Sequence, residues 1–181
     1  QTPLLARRVL LPPEPDERSR PQFQRISVTH PAEGYGNVCP RYYNLGYIAF
    51  HQKDYSTAEN RFRNFVQLEK GENPTALADA YNRIGDCNLH VRRFEEAKQY
   101  YAKAENLNTP AGDYAVYQLA LVYGMQKNYT EKVSMLDRLA AKYPNSPYAI
   151  NALYEKGRSY VQSNNSRQAI ATFRELLANT P

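Results

Sequence analysis

The sequence is poor in the features that usually announce chemistry. Its 181 residues hold two cysteines, Cys39 and Cys87, too few and too far apart for a disulfide framework or a zinc site. Each is expected as a small buried hydrophobe in a helix. No apolar run approaches the roughly 18 residues of a membrane-spanning helix. Leu4, Leu5, Val9, Leu10 and Leu11 are interrupted by Arg7 and Arg8, so neither a continuous signal-peptide core nor its small-residue cleavage site is present. The expectation is a chain whose signal has been removed, or a piece of a longer one. There is also no glycine-rich phosphate loop, nucleophile elbow, HExxH or paired-cysteine motif. His51 and His90 sit at equivalent places in neighbouring units, but helix axes about 8 to 10 Å apart are awkward for two ligands on one metal. No enzyme activity, metal or cofactor is therefore expected. The net charge of +5 is mild and spread, with Arg61, Arg63, Arg92 and Arg93 alternating with Glu59, Glu69, Glu95 and Glu96. A nucleic-acid binder clusters its basic residues on one face, so that partner class is not expected.

What the chain does have is periodicity. Gly46, Gly85, Ala120 and Gly157 each sit inside an apolar helical stretch, at intervals of about 35 to 39 residues. Twelve residues after each comes Ala58, Ala97, Lys132 or Ala169, and four later Phe62, Tyr101, Leu136 or Phe173. Each unit closes near Pro74, Pro110, Pro144 or Pro181. Glycine inside a helix costs about 1 kcal/mol against alanine, so its recurrence implies close approach of two packed helices. The pattern predicts eight helices in four hairpins, at 41–52 and 55–70, 75–91 and 94–107, 112–126 and 129–143, and 147–162 and 166–179. Asn73-Pro74, Thr109-Pro110 and Ser146-Pro147 place a proline where a missing donor does no harm. Asp54, Asn128 and Asn165 mark turns within hairpins, followed by Tyr55, Tyr129 and, in the fourth unit, Ser166. The lack of a ring there predicts a less firmly pinned hairpin.

Residues 1–37 read differently. Leu11-Pro12-Pro13-Glu14-Pro15 and Ser19-Arg20-Pro21 cannot propagate a helix, so a mostly non-helical, proline- and arginine-rich segment or linker is expected. Its leucines at 4, 5, 10 and 11 are candidates to dock on the repeats. The organisation expected is 1–37, then four repeats in 38–181 at about 39–73, 74–109, 110–146 and 147–181.

These residues carry a family resemblance. Leu45-Gly46, Ile84-Gly85, Leu119-Ala120 and Lys156-Gly157 resemble the Leu-Gly pair of the tetratricopeptide repeat family, and the roughly 34-residue period matches. Asn88 and Lys132 depart from the family's aromatic and small residues. Lys142-Tyr143-Pro144-Asn145-Ser146-Pro147-Tyr148-Ala149, with Ala152-Leu153-Tyr154 and Gly157, is similar to periplasmic members in Gram-negative bacteria. Those include the Tol-Pal-associated cell-division coordinator and the lipoprotein of the outer-membrane assembly machine. The resemblance implies an all-α superhelix, an α-α solenoid whose first helices line a concave groove. It implies a protein-protein interaction module that binds a peptide or protein segment, within a larger envelope protein. A spacer within a longer solenoid is the alternative.

In that register the groove residues are Tyr43, Tyr47, Asn82, Arg83, Tyr114, Tyr117, Tyr154 and Arg158, with Asn44, Phe50, His51, Asp86, His90, Gln118, Leu121 and Glu155 beside them. Tyr43, Tyr47 and Tyr114 stand where the family's chaperone-tail clamp needs Lys and Asn, so that activity is not expected. Self-association through the apolar residues of the last helix, Ile170, Phe173, Leu176 and Leu177, is a further expected contact, as is membership of a membrane-associated complex. The implied location is the periplasm or cell envelope, with the cytoplasm as alternative.

Overall fold

The computed structural model describes residues 38–179. The segment 1–37, with its expected leucine docking, lies outside the described residues. Eight helices follow in order: α1 Val38–His51, α2 Tyr55–Glu69, α3 Pro74–His90, α4 Phe94–Asn106, α5 Gly112–Met125, α6 Tyr129–Lys142, α7 Ala149–Gln162 and α8 Ser166–Asn179. Each pairs with its neighbour in sequence, α1 with α2 through α7 with α8, and consecutive hairpins stack through α2 with α3, α4 with α5 and α6 with α7. The described residues thus form a helical solenoid without strands. Two starts differ from the sequence reading. α1 begins earlier, with Pro40 accommodated in its first turn, where it removes no intrahelical bond. α7 begins two residues later, because Ser146 to Ala149 close a turn, with Ala149 N–H donating to Ser146 O at 3.1 Å.

The recurring glycines have a direct physical cause. A Cβ built on Gly46 would fall 2.8 Å from the Phe62 ring, one on Gly85 2.6 Å from Tyr101, and one on Gly157 2.6 Å from Phe173. In three hairpins a ring of the second helix lies against the backbone of the first. The third hairpin has Leu136 in the ring's place, and there the first helix carries Ala120. Phe62, Tyr101 and Ala120 are all fully buried.

All four hairpin turns are built alike. Lys53, Arg92, Lys127 and Asn164 adopt φ near +60°, and the next residue's N–H reaches back to the helix carbonyl five positions earlier. Those bonds are Asp54 to Ala49, Arg93 to Asn88, Asn128 to Tyr123 and Asn165 to Tyr160, at 2.8 to 3.0 Å. This is the Schellman closure, made without glycine. Asp54, Asn128 and Asn165 then cap the second helix by accepting from Thr57, Glu131 and Gln168 N–H at 3.1, 3.2 and 3.3 Å. The fourth hairpin therefore closes like the others despite Ser166.

The two departures from the repeat pattern also resolve. Asn88 is fully buried; its amide donates to Ile84 O at 2.8 Å and to Glu59 of the preceding repeat at 3.3 Å. Lys132 is buried, its stem lies over Gly124, and its ammonium pairs with Glu155 of the next repeat at 2.5 Å. Gly124 supplies the room that the long side chain needs.

Gly85→Leu should lower stability by about 1 to 3 kcal/mol or more, because the fully buried Tyr101 ring cannot move aside. Ser134→Ala, on an exposed helix face, is the proper control. Lys98 is not, since it pairs with Glu95 at 2.9 Å and caps the Tyr123 ring at 4.9 Å. Equal thermal melts for Gly85→Leu and the parent would show that the close approach does not matter.

Candidate functional site

The first helices α1, α3 and α5 bring together a polar cluster that their sequences encode at helical spacing. On α3, Asp79, Arg83 and Asp86 follow one another at four and three residues and so share one face. Tyr43 on α1 donates to Asp79 Oδ2 at 2.6 Å, and Tyr47 donates to the same oxygen. Tyr101 on α4 donates to Asp86 Oδ1 at 2.7 Å, and Tyr114 on α5 donates to Asp86 at 2.9 Å. Arg83 sits between the carboxylates, with Nη1 2.7 Å from Asp86 Oδ2 and Nε 3.7 Å from Asp79 Oδ1. Its guanidinium also lies 4.8 Å from the Tyr114 ring centroid.

This cluster is out of water, and its protonation states follow from that. Burial pushes the Asp86 carboxyl up, against the pull of Arg83 and the two hydroxyls that favour the carboxylate. Burial and the nearby carboxylates push all four tyrosine hydroxyls up, which keeps them as donors. For Arg83, burial works against the charge, but Asp86 and the surrounding acidic groups outweigh it and raise its pKa well above the usual value.

The expected groove residues divide accordingly. Tyr43, Asn82, Arg83, Tyr114 and Tyr117 are buried, so their exposure does not hold. Asn82 donates to Ala111 O at 3.0 Å, and Tyr117 stacks on Tyr148 with centroids 5.2 Å apart. Burial pushes the Tyr117 hydroxyl up to about 12. The reason is common to all five: their side chains reach across to groups of the adjoining repeat, so these positions serve the stack. Tyr47 and Arg158 are half-buried, and Tyr154 is exposed. Asn44 and His51 are exposed and His90, Leu121 and Glu155 half-buried, whereas Asp86 and Gln118 are buried. The His90 ring stacks on Tyr55 at 4.0 Å. Asp79 was missed as a partner of Arg83, although its place one turn before Arg83 was a readable signal.

Two further acids tie repeats together. Burial opposes the Glu59 charge, but Arg63, Asn88 and Arg93 outweigh it and hold the carboxyl below the usual range. Glu105, also buried, pairs with Arg138 at 2.8 Å and Lys142 at 3.4 Å. Among the described residues, no group of three His, Cys, Asp or Glu side chains could hold a metal ion, and no helix is long and apolar enough to cross a membrane.

Stacked antiparallel hairpins, with a ring laid on a small residue at a fixed place, define an α-α repeat protein. Tetratricopeptide repeat models match residues 78–109, 114–146 and 151–181, together just over half of the sequence, and the chain belongs to that family. No curated protein matches it in sequence. Among solved structures it is similar to MamA, at 22% identity and TM-score 0.67 over 78% of each chain. It is also similar to the apo form of RapI, at 12% identity and TM-score 0.72 over 80% of this chain and 56% of that one. BtubC from P. vanneervenii follows at 16% identity and TM-score 0.68, over 77% and 62%. At these identities the likeness is one of fold.

Replacing Arg83 alone strands two buried carboxylates, so Arg83→Leu should cost about 3 to 5 kcal/mol in a urea melt. A loss below about 1 kcal/mol would show that the cluster does not hold the first three repeats together.

Proposed function

We propose that the array binds a peptide or protein segment along the face lined by its first helices. The supporting observation is a division of labour along the first helices: a buried Asp79–Arg83–Asp86 cluster, held by ion pairs and tyrosine hydroxyls, accompanies exposed Asn44, His51 and Tyr154 and half-buried Tyr47, Leu121, Glu155 and Arg158. A rigid scaffold with mixed amide, aromatic and charged groups in front of it can order a bound segment without reorganising itself, which lowers the cost of association. Tetratricopeptide repeats as a class mediate protein-protein interaction and act as scaffolds. The proposed setting is a larger protein of the Gram-negative periplasm or cell envelope. Its support is the sequence of the connector Lys142–Ala149, with Ala152 to Gly157 after it.

Random peptides displayed on phage and selected on the full chain test the binding mode. Asn44→Ala and His51→Ala, both at exposed positions, should each weaken a selected peptide by about tenfold, as expected of central contact residues, with little change in melting temperature. Tyr117 is unsuitable for this test because its truncation would be read as lost stability. Failure to select any peptide would favour the spacer reading, and unchanged affinity in both variants would remove the groove. Fractionation of cells making the natural full-length protein tests the location. Recovery in the periplasmic or membrane fraction is expected, and recovery in the cytosol alone would refute the envelope setting.

A further inference from the structure

Side chains of the second helices also bridge the repeats, at a place that the register of the small residues identifies. Five residues after Ala58, Ala97 and Lys132 stand Arg63, Ala102 and Asp137. Arg63 reaches from α2 to α4, where it bonds the Tyr100 hydroxyl and lies 4.9 Å from the centroid of that ring. Asp137 on α6 takes the ammonium of Lys156 on α7 at 2.5 Å. Ala102 on α4 has no group to reach with, and on α6 Met135 stands in the place of Tyr100. A trough of about 410 Å³ is left between α4 and α6, its apolar part lined by Ala102, Leu119, Tyr123 and Met135. That is within the size range of ligand sites.

The two ends of the trough differ in charge. Toward the start of α4, Lys98 pairs with Glu95 at 2.9 Å and both bond the Gln126 amide, so that end is neutral and satisfied within itself. Toward the end of α4, the Glu105 side chain is 3% exposed, while those of Arg138 and Lys142, which pair with it, are 48% and 37% exposed. The acid lies underneath and its two cations outermost, which leaves one surplus positive charge facing out. Arg138 pairs with Glu105 through Nη2 and keeps further donors. Glu105 follows Ala102 by three residues, about one helical turn. We propose that this trough binds a helical segment of a partner protein, with a Leu or Met over Ala102 and Met135 and, one turn away, an Asp or Glu on Arg138 and Lys142. The exposed cations fix the sign of the partner's charge, and the missing bridge at Ala102 provides the room. The site lies between the second and third repeats, with a further repeat on either side. It shares no residue with the groove proposed above, and neither reading depends on the other.

The probe is a phage-displayed library of helical peptides, selected on the full chain and counter-selected on Ala102→Arg. That substitution gives the trough the arginine that bridges the preceding pair of repeats, so the melting temperature should stay near the parent's. Selected peptides should share an acid one turn from a Leu or Met. In fluorescence anisotropy, exchanging that acid for its amide should weaken binding about tenfold, as for charge-assisted hydrogen bonds. Arg138→Gln and Lys142→Gln should each do the same, and each still leaves Glu105 one cation. Asn44→Ala and His51→Ala should leave the affinity unchanged. Failure to select any peptide that separates the parent from Ala102→Arg, or selected peptides indifferent to the acid, overturns the proposal. Binding lost in Asn44→Ala and His51→Ala overturns it in favour of the groove. A dimer in sedimentation velocity that is lost in Ala102→Arg overturns it in favour of a second copy. Tighter peptide binding after Leu10→Ser with Leu11→Ser overturns it in favour of the chain's own N-terminal segment.

Discussion

The laying of a ring on bare backbone is the constraint from which the rest of this solenoid follows. With Phe62, Tyr101 and Phe173 seated on Gly46, Gly85 and Gly157, the two helices of a hairpin sit closer than Cβ atoms permit. The hairpin then buries its own ring and still has apolar surface on its outer side, which the next hairpin must cover. Close packing leaves no slack for an extra carbon, and where the ring is replaced by Leu136 an alanine suffices.

Between repeats a second kind of bond is added to the shared apolar clusters. The joints carry hydrogen bonds and ion pairs set in apolar surroundings: hydroxyls on Asp79 and Asp86, Arg93 on Glu59, lysine on Glu155. A buried ionic cluster is weak evidence for net stability, because desolvation offsets much of its attraction. Its effect here is positional. Two tyrosines converging on one Asp79 oxygen admit a single register between α1 and α3, where a purely apolar contact would tolerate sliding.

The hairpins were legible in the sequence because helix periodicity and the small-residue repeat are local signals. Six of the eight helices begin within one residue of the place expected from proline, Asp and Asn punctuation. The exposure of the groove was not legible. Tyr43, Asn82, Arg83, Tyr114 and Tyr117 lie on the helix face that family register assigns to the groove, but whether a side chain there meets water depends on which groups of the adjoining repeat it reaches. Those groups stand about 28 to 36 positions away in the sequence. The partner of Arg83 was closer to hand, since Asp79 and Asp86 flank it on its own helix. The positive φ at Lys53, Arg92, Lys127 and Asn164 was hidden for another reason: sequence signals for that backbone state rely on glycine, and none of these turns uses one.

The joints are also unequal. Asp79, Arg83 and Asp86 receive hydroxyls from α1, α4 and α5, so the first three repeats share one set of bonds. The fourth is attached through the Lys132–Glu155 and Lys156–Asp137 pairs, through Tyr148 against Tyr114 and Tyr117, and through Ala152 in the apolar cluster of the third. In a one-dimensional array, cooperativity is a property of each joint, so a set of bonds shared by three repeats couples them as one block, whereas the last joint has its own separate pairs. A change at the last joint therefore leaves intact the bonds that the first three repeats share, while a change at Arg83 is felt by all three of them.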